Sequence, residues 1–444
     1  MANSVILASQ FVQKESYPKP KEVTNCFELK KDQQINEASA SSSAMVVDEV
    51  VDILRHRLDI YMTRRKRRSV FLTKTISNNE KIILESKVQF ELSEFVRHIA
   101  SLYNDQNGYH TFNHAAHVVR SMNSLISILR TQEQYEKVDK GKKKSRGIKK
   151  LYKKVKRKNL CCTYGIGRSP RIQFALVFAA LIHDVGHTGV PNCQLMNEEH
   201  DLCNLYDDSV AEMHSIDVAI SLLKEKMFSN LLEAIAPTSA AKKTFQELVI
   251  KLVLSTDIAS SIQKKVGMKR WQKAFPTIDY DDGSIRSLNV FGGGQNMKSK
   301  QKQAVCPVAR EKIIQRKASA VLDLMMQAAD VAHTMQEWEI FIRWNRNLYI
   351  ECIEAHCSGR IKDGAEHPLI SWNKSQIAFL NAYIIPLAKK IDHCRAFGEK
   401  GNKFLQNAKE NCRRWLNEGE EICEELAQIG FESSEIVPVT KSHI

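Results

Sequence analysis

An all-α fold is what the sequence predicts, on three observations. Apolar residues recur at helical spacing in one segment after another. A nine-residue run without a polar side chain, Phe174 to Ile182, is too short for a membrane span and reads as a helix buried on every side. Apolar helical runs end in a carboxylate at Asp184, Asp257 and Asp330, which puts charge at the ends of buried helices.

Taken in order, residues 1–45 are small and polar from Asn36 to Ala44, show no sustained period and read as a mobile tail. Residues 46–80 form a helical lead-in, with Val50, Val51, Ile53, Leu54 and Leu58 on one face. The helix runs into the basic cluster Arg64 to Arg68, which is an import signal or a solvated helix end. Ile82 to Tyr103 is again helical and stops at the turn-rich Asn104-Asp-Gln-Asn-Gly108. Residues 131–172 carry fifteen Lys and Arg against three acids and read as a surface insertion, too polar to pack, between two core helices. Thr244 to Thr256, Ile313 to Ala332, Glu337 to Cys352 and the segments between Gln376 and Leu426 all read as helices. Residues 281–308 include Gly292-Gly-Gly without phosphate-loop spacing and read as a flexible loop, and 429–444 as a polar tail.

The 444 residues suffice for a large core, and 43% apolar with 26% charged residues excludes wholesale disorder. The start of the chain lacks the basic end and long apolar core of a secretory signal, and no stretch is apolar enough to span a bilayer. The expectation is an intracellular, cytoplasmic protein, with nuclear or membrane-surface association through its basic clusters. Eleven cysteines without a C-x-x-C pair indicate neither a disulfide framework nor a thiolate zinc site. Of the net charge of +14, +12 falls in the insertion, so the rest of the chain is nearly neutral.

Two histidine clusters carry the chemistry. His183 and Asp184 follow the apolar run directly, and His187 would share their face if the helix continued. Upstream, His110, His114 and His117 are spaced four and three apart, as one helix would align them. A lone histidine is more often a hydrogen-bonded core residue, whereas two clusters on separate helices form a metal site, with one unligated imidazole left to move a proton. Downstream, Tyr206-Asp-Asp-Ser209 precedes a helix, and Asp207, Asp208 or Ser209 can cap it.

The ordered set of YHxxxH, HDxxHxGxxN, YxDSVxE, STD, AD and SQxxF resembles the class I 3′,5′-cyclic nucleotide phosphodiesterases of the HD-domain superfamily, over roughly residues 85–420. The resemblance implies a compact multi-helix catalytic domain over 81–428, with its metals at the base of a deep pocket. It implies that His114, His183, Asp184 and Asp330 hold the tighter ion, typically Zn2+. Asp184 bridges to a second ion, typically Mg2+ (or Mn2+), whose waters are held by His187, Glu212 and Thr256. His110 matches the general acid, Gln376 the glutamine that binds the purine, and Phe379 and Leu348 its two clamping faces. Tyr109, Asn192 and Asp257 fall among the substrate-side motifs. The implied reaction is hydrolysis of cAMP or cGMP to the 5′-monophosphate. Thr111, Gln327 and Ala332-His333-Thr334 depart from the usual Asn, His and Ser-Asn-Pro, and put base contacts and rate in question.

Two other readings compete: another HD-type nucleotide phosphohydrolase, and a nucleic-acid or anionic-membrane binder driven by the insertion. Gln376 and Phe379 speak against the first, and the single Tyr152 in the densest basic stretch gives the nucleic-acid form little support. A catalytically silent sensor would have little reason to keep the whole ligand set. Cyclic nucleotide preference and oligomeric state, a homodimer included, stay open.

Overall fold

The apolar run becomes the central helix of the fold. The computed structural model describes residues 33–73, 85–134, 163–278, 286–287, 307–361 and 368–434. In chain order the helices are α1 (Gln33–Thr73), α2 (Ser86–Ser101), α3 (Phe112–Gln134) and α4 (Pro170–Ile182). Then come α5 (Asn192–Asn197), α6 (Val210–Leu223), α7 (Ser229–Ile235), α8 (Ser239–Val253) and α9 (Ser261–Ala274). The last group is α10 (Pro307–Asp330), α11 (Trp338–Cys357), α12 (Pro368–Phe379), α13 (Ile385–His393) and α14 (Lys400–Ser434). Among the described residues the only strands are the two-residue antiparallel pair Thr277–Ile278 and Arg286–Ser287.

Pro170 opens α4 at a position where a missing N–H costs nothing, and every residue from Phe174 to Ile182 is buried. Helices α1, α3, α8 and α10 pack around it. At about 1.5–3 kcal/mol for each large side chain taken from water, this one helix anchors the core. Phe178 stacks on Phe95 of α2 at 5.6 Å and meets Phe245 of α8 edge-on at 5.2 Å. Tyr103 Oη donates to the Leu181 carbonyl at 2.7 Å and fixes the end of α4 against the loop that follows α2. Further on, α12 passes through a wide π turn, Leu380–Ile384, into α13, whose first turn contains Pro386. The missing Pro386 N–H and its bulky ring account for that widening.

Several expectations need correction. Helix α1 starts at Gln33, inside the stretch expected to be a structureless tail; its Ala-rich polar residues extend a helix anchored from Val50 onward. In the basic cluster, Arg65 donates to the Ala234 carbonyl at the end of α7, so at least this cation has a structural partner. The insertion is narrower than its charge suggested. Its first residues continue α3, and at its far end Thr163 and Ile166 are buried while Gln173 Nε2 donates to the Ile166 and Gly167 carbonyls. Counting charges over 131–172 hid the uncharged Cys161-Cys162-Thr-Tyr-Gly-Ile that packs from Thr163 on. Residues 135–162, most of 281–308, 1–32 and 435–444 lie outside the described residues. Cys394 and Cys412 are buried free thiols, and no described helix is long and apolar enough to cross a membrane.

Candidate active site

Three helix ends and one loop meet at the site. Helix α4 stops at Ile182, and His183 follows as its C-cap. Gly186 then turns the chain with φ +73°, and its N–H is held by the Leu102 carbonyl at 3.2 Å. A side chain there would strain the backbone and press on His214. The helix therefore does not continue through His187, contrary to the spacing argument, and His187 is carried across to stack on His110 at 3.8 Å between ring centres. His110 also differs from expectation: α3 begins at Phe112, so His114 and His117 lie on it while His110 precedes it.

Four ligand-type side chains converge at the core of the site. His183 Nε2 lies 2.9 Å from Asp184 Oδ2 and 3.4 Å from Asp330 Oδ1; His114 Nε2 lies 3.6 Å and 3.3 Å from the same two atoms. Asp330 is the last residue of α10, and both imidazoles are buried. His183 Nδ1 is 3.1 Å from the Ala180 carbonyl, which turns Nε2 toward the carboxylates. That Nε2 is buried without a partner in hydrogen-bond geometry despite its 2.9 Å contact, as expected of a nitrogen aimed at a cation. Burial opposes the charge on Asp184, yet the neighbouring His183 holds its pKa well below the usual carboxylate range; Asp330 is lowered by His114 and His183 against the same opposition. Burial keeps His114 neutral by lowering its pKa. On His183 burial also favours the neutral form, but Asp184 and Asp330 outweigh it and raise the pKa well above the imidazole range. Ionised Asp184 and Asp330 with neutral His114 are the ligand-competent states, and the proton on His183 is one that a cation would displace. The set fits a divalent ion bound by nitrogen and oxygen.

A carboxylate not anticipated from the sequence stands behind His110. Glu351 of α11 is buried; its Oε1 is 2.5 Å from His110 Nδ1, and its Oε2 accepts the Tyr109 and His110 N–H groups at 2.9 and 2.8 Å. Burial works against the imidazolium, but Glu351 wins and the His110 pKa is raised. Glu351 itself, against its own burial, is brought down to about 2 by His110. The loop comes this close only because residue 108 is glycine, where a Cβ would sit 2.7 Å from the Asn347 carbonyl oxygen and 2.8 Å from the Glu351 nitrogen. Asn107 Nδ2 bridges the His187 and His110 carbonyls at 2.9 and 3.2 Å. The available signal was an acid in the buried phase of a helix, seven residues after Trp344.

The other expected residues form an outer ring. Asn192 Nδ2 reaches Glu212 Oε2 at 2.9 Å and Asp257 Oδ2 at 3.3 Å, while its Oδ1 accepts the Ala211 N–H. Burial, reinforced by Asp257, pushes Glu212 up to about 7. Burial lowers His187 to about 3, with His110 adding to the effect. Thr256 is buried and its hydroxyl donates to the Val253 carbonyl. The Tyr109 ring lies 4.4 Å from that of His114. On α11 and α12, which pack together, Leu348 and Phe379 are half-buried and Gln376 is buried. Phe379 stacks on Tyr383, whose pKa is raised by burial and then by the Asp330 charge. Ser209, foreseen as a possible cap, stands at the start of α6 with φ 53° and makes no side-chain cap. Asp208 instead accepts from Ser260 Oγ. Among the departures, Gln327 Nε2 donates to the Ser255 carbonyl and His333 is buried between the rings of Tyr109 and Trp344.

Comparison with known proteins agrees with this geometry. The phosphodiesterase domain of a rhodopsin–phosphodiesterase fusion from the choanoflagellate Salpingoeca rosetta superposes with a TM-score of 0.53 at 19% identity, over 89% of this chain and 94% of that one, which establishes the shared fold. A cGMP-specific 3′,5′-cyclic phosphodiesterase alpha of Plasmodium falciparum is 24% identical over 344 residues, 75% of this chain and 28% of the relative. A dual specificity calcium/calmodulin-dependent 3′,5′-cyclic nucleotide phosphodiesterase of the mouse is 29% identical over 179 residues, 40% of this chain and 20% of the relative. The chain thus spans under a third of the length of either. A model of the 3′5′-cyclic nucleotide phosphodiesterase family matches residues 109–407, which run from the loop that carries His110 into α14, and the chain belongs to that family.

Proposed function

We propose that the chain hydrolyses 3′,5′-cyclic nucleotides, cAMP or cGMP, to 5′-nucleoside monophosphates. The observation that carries this reading is the convergence of His114, His183, Asp184 and Asp330 beside a His110 imidazole locked to Glu351. In this reading His114, His183, Asp184 and Asp330 would hold a tight ion, zinc, and Asp184 would also serve a second ion, magnesium or manganese. His187, Glu212 and Thr256 would orient water at that second ion. Two cations held there supply Lewis acidity at the phosphoryl group and acidify water toward a nucleophile.

The protein groups do the rest. Glu351 fixes the His110 ring through Nδ1 and raises its pKa, so that Nε2 presents a proton to the leaving 3′ oxygen near neutral pH. Burial, and then the Asp257 charge, push Glu212 up to about 7, and the Asn192 amide holds the Glu212 carboxyl beside Asp257. The purine is held by the Gln376 amide between Phe379 and Leu348, with Tyr109 closing the wall next to His114. The basic insertion serves as a tether to an anionic surface and takes no part in catalysis. Assay of bound metal together with turnover of cAMP and cGMP on the purified protein tests the reading. Full metal loading with turnover of neither cyclic nucleotide would overturn it, and hydrolysis of noncyclic nucleotides alone would assign the chain to a different phosphohydrolase chemistry.

A further inference from the structure

Helix α9 spends most of its surface on water. Ala274 is its one buried residue, and Lys264, Lys265, Lys269 and Lys273 are exposed on a helix with no acidic residue. No described acid pairs with any of these four; the fifth cation, Arg270, turns inward onto Asp323. Between the lysines the helix also exposes Ile262 at 52%, Val266 at 38% and Met268 at 53%. At roughly 100° per residue, Lys265, Lys269, Ile262, Lys273 and Val266 share one outward arc. Gln263, Gly267, Arg270 and Trp271 turn inward, where the Trp271 ring lies 4.4 Å from that of Phe275.

Two lysines of neighbouring helices lie over the inward rings. Lys317 lies over the Phe275 ring at 4.9 Å and Lys390 over the Trp271 ring at 5.6 Å. Tyr164, just past the basic insertion, donates to the Cys394 carbonyl at 2.7 Å and packs on Phe275 at 5.9 Å. Tyr164 thus lies next to the end of α9.

We propose that the outward face of α9 docks on an anionic phospholipid surface. Aliphatic side chains set among lysines suit the boundary between headgroups and acyl chains, where their tips leave water and the ammonium groups meet lipid phosphates and carboxylates. A nucleic-acid face would need outward aromatics for base stacking, and the one aromatic of α9 points into the protein. The face lies outside the metal-type cluster, so docking positions the enzyme without altering its chemistry.

Sedimentation of the full chain with phosphatidylcholine vesicles, with and without phosphatidylserine, tests the proposal. The chain pellets with the serine-containing vesicles, and less of it pellets as salt rises. The double variant Lys265→Glu, Lys269→Glu binds at least about tenfold more weakly, as does Ile262→Asp, Val266→Asp, each with the wild-type helical signal by circular dichroism. If the aspartate variant loses that signal, Ile262→Gln, Val266→Gln carries the same comparison. A folded variant of either kind that binds like the wild type overturns the proposal, as does a wild type that ignores these vesicles but binds single-stranded RNA.

Discussion

Glu351 Oε1 lies 2.5 Å from His110 Nδ1, although 241 residues separate them in the chain. The other oxygen of the same carboxylate accepts the Tyr109 and His110 N–H groups. One buried acid thus sets the ring orientation, the loop position and the proton affinity of a single imidazole.

Glu351→Gln keeps the shape but removes the charge. The expected result is a turnover number lower by roughly ten- to a hundredfold, less than the loss in His110→Ala, with metal content unchanged in both variants. The pH profile gives the sharper readout. Glu351 raises the His110 pKa above the ordinary imidazole value despite burial, so the alkaline fall of kcat lies at higher pH in the wild type and moves down in Glu351→Gln. The same raised pKa means that the pair adds stability below the ordinary imidazole pKa, and that this is lost as pH climbs through the folded value. An alkaline limb that stays in place in Glu351→Gln would separate Glu351 from the acid. Metal loss in His110→Ala would move His110 into the ligand set.

Asp330→Ala and His183→Ala each remove a ligand from a buried cluster and leave the other groups without a counter-charge. The expected outcome is loss of the tighter ion, read by metal analysis, together with loss of hydrolysis. Full metal and full turnover in either variant would refute the ligand assignment.

Gly108 sets the distance between the His110 loop and α11. An alanine there would place its Cβ against backbone atoms of Asn347 and Glu351, which cannot swing aside as a side-chain tip can. Gly108→Ala should cost about 1–3 kcal/mol, as overpacking does, measured as a lower melting temperature. Since the loop must lift from α11, turnover should fall with stability, and the alkaline limb of kcat should shift in the same direction as in Glu351→Gln. A variant of wild-type stability and activity would show that the loop does not need this close approach.

The helices were legible because their apolar periods are long, and the buried α4 most of all, since nothing between Phe174 and Ile182 is polar. His114, His183, Asp184 and Asp330 could be picked out because each stands in a short local pattern, and the structure brings those four together. Spacing failed where the backbone turns. Gly186 ends the helical phase before His187, and the loop through Gly108 leaves His110 outside α3, so residues aligned on an ideal helix meet through a stack between two loops instead. Glu351 stands out in the sequence only as an acid in the buried phase of α11, a signal that names no partner, and its partner is 241 residues away. Charge density misjudged the insertion, because an average over 131–172 conceals the short uncharged stretch that Ile166 anchors in the core.

The basic stretch can be removed without touching the packed residues that follow it. Residues 137–160 hold thirteen of the fifteen cations counted across 131–172, whereas Thr163 and Ile166 are buried and Gln173 binds the carbonyls beside them. A cut that reached Arg168 would strip packed residues and confuse instability with function. Deleting 137–160 alone and joining the ends with a short Gly/Ser link should leave the melting temperature and cyclic nucleotide turnover near wild type, because the cut spares every residue of the candidate site. Salt-sensitive binding to anionic vesicles or to RNA should weaken, since each lysine or arginine near an anionic membrane contributes about 1 kcal/mol. Vesicle binding should not vanish, because α9 keeps its four exposed lysines, and adding Lys265→Glu and Lys269→Glu to the deletion should remove the remainder. If the deleted protein stays folded and keeps its metals but loses turnover, the insertion reaches the active site and the tether reading fails.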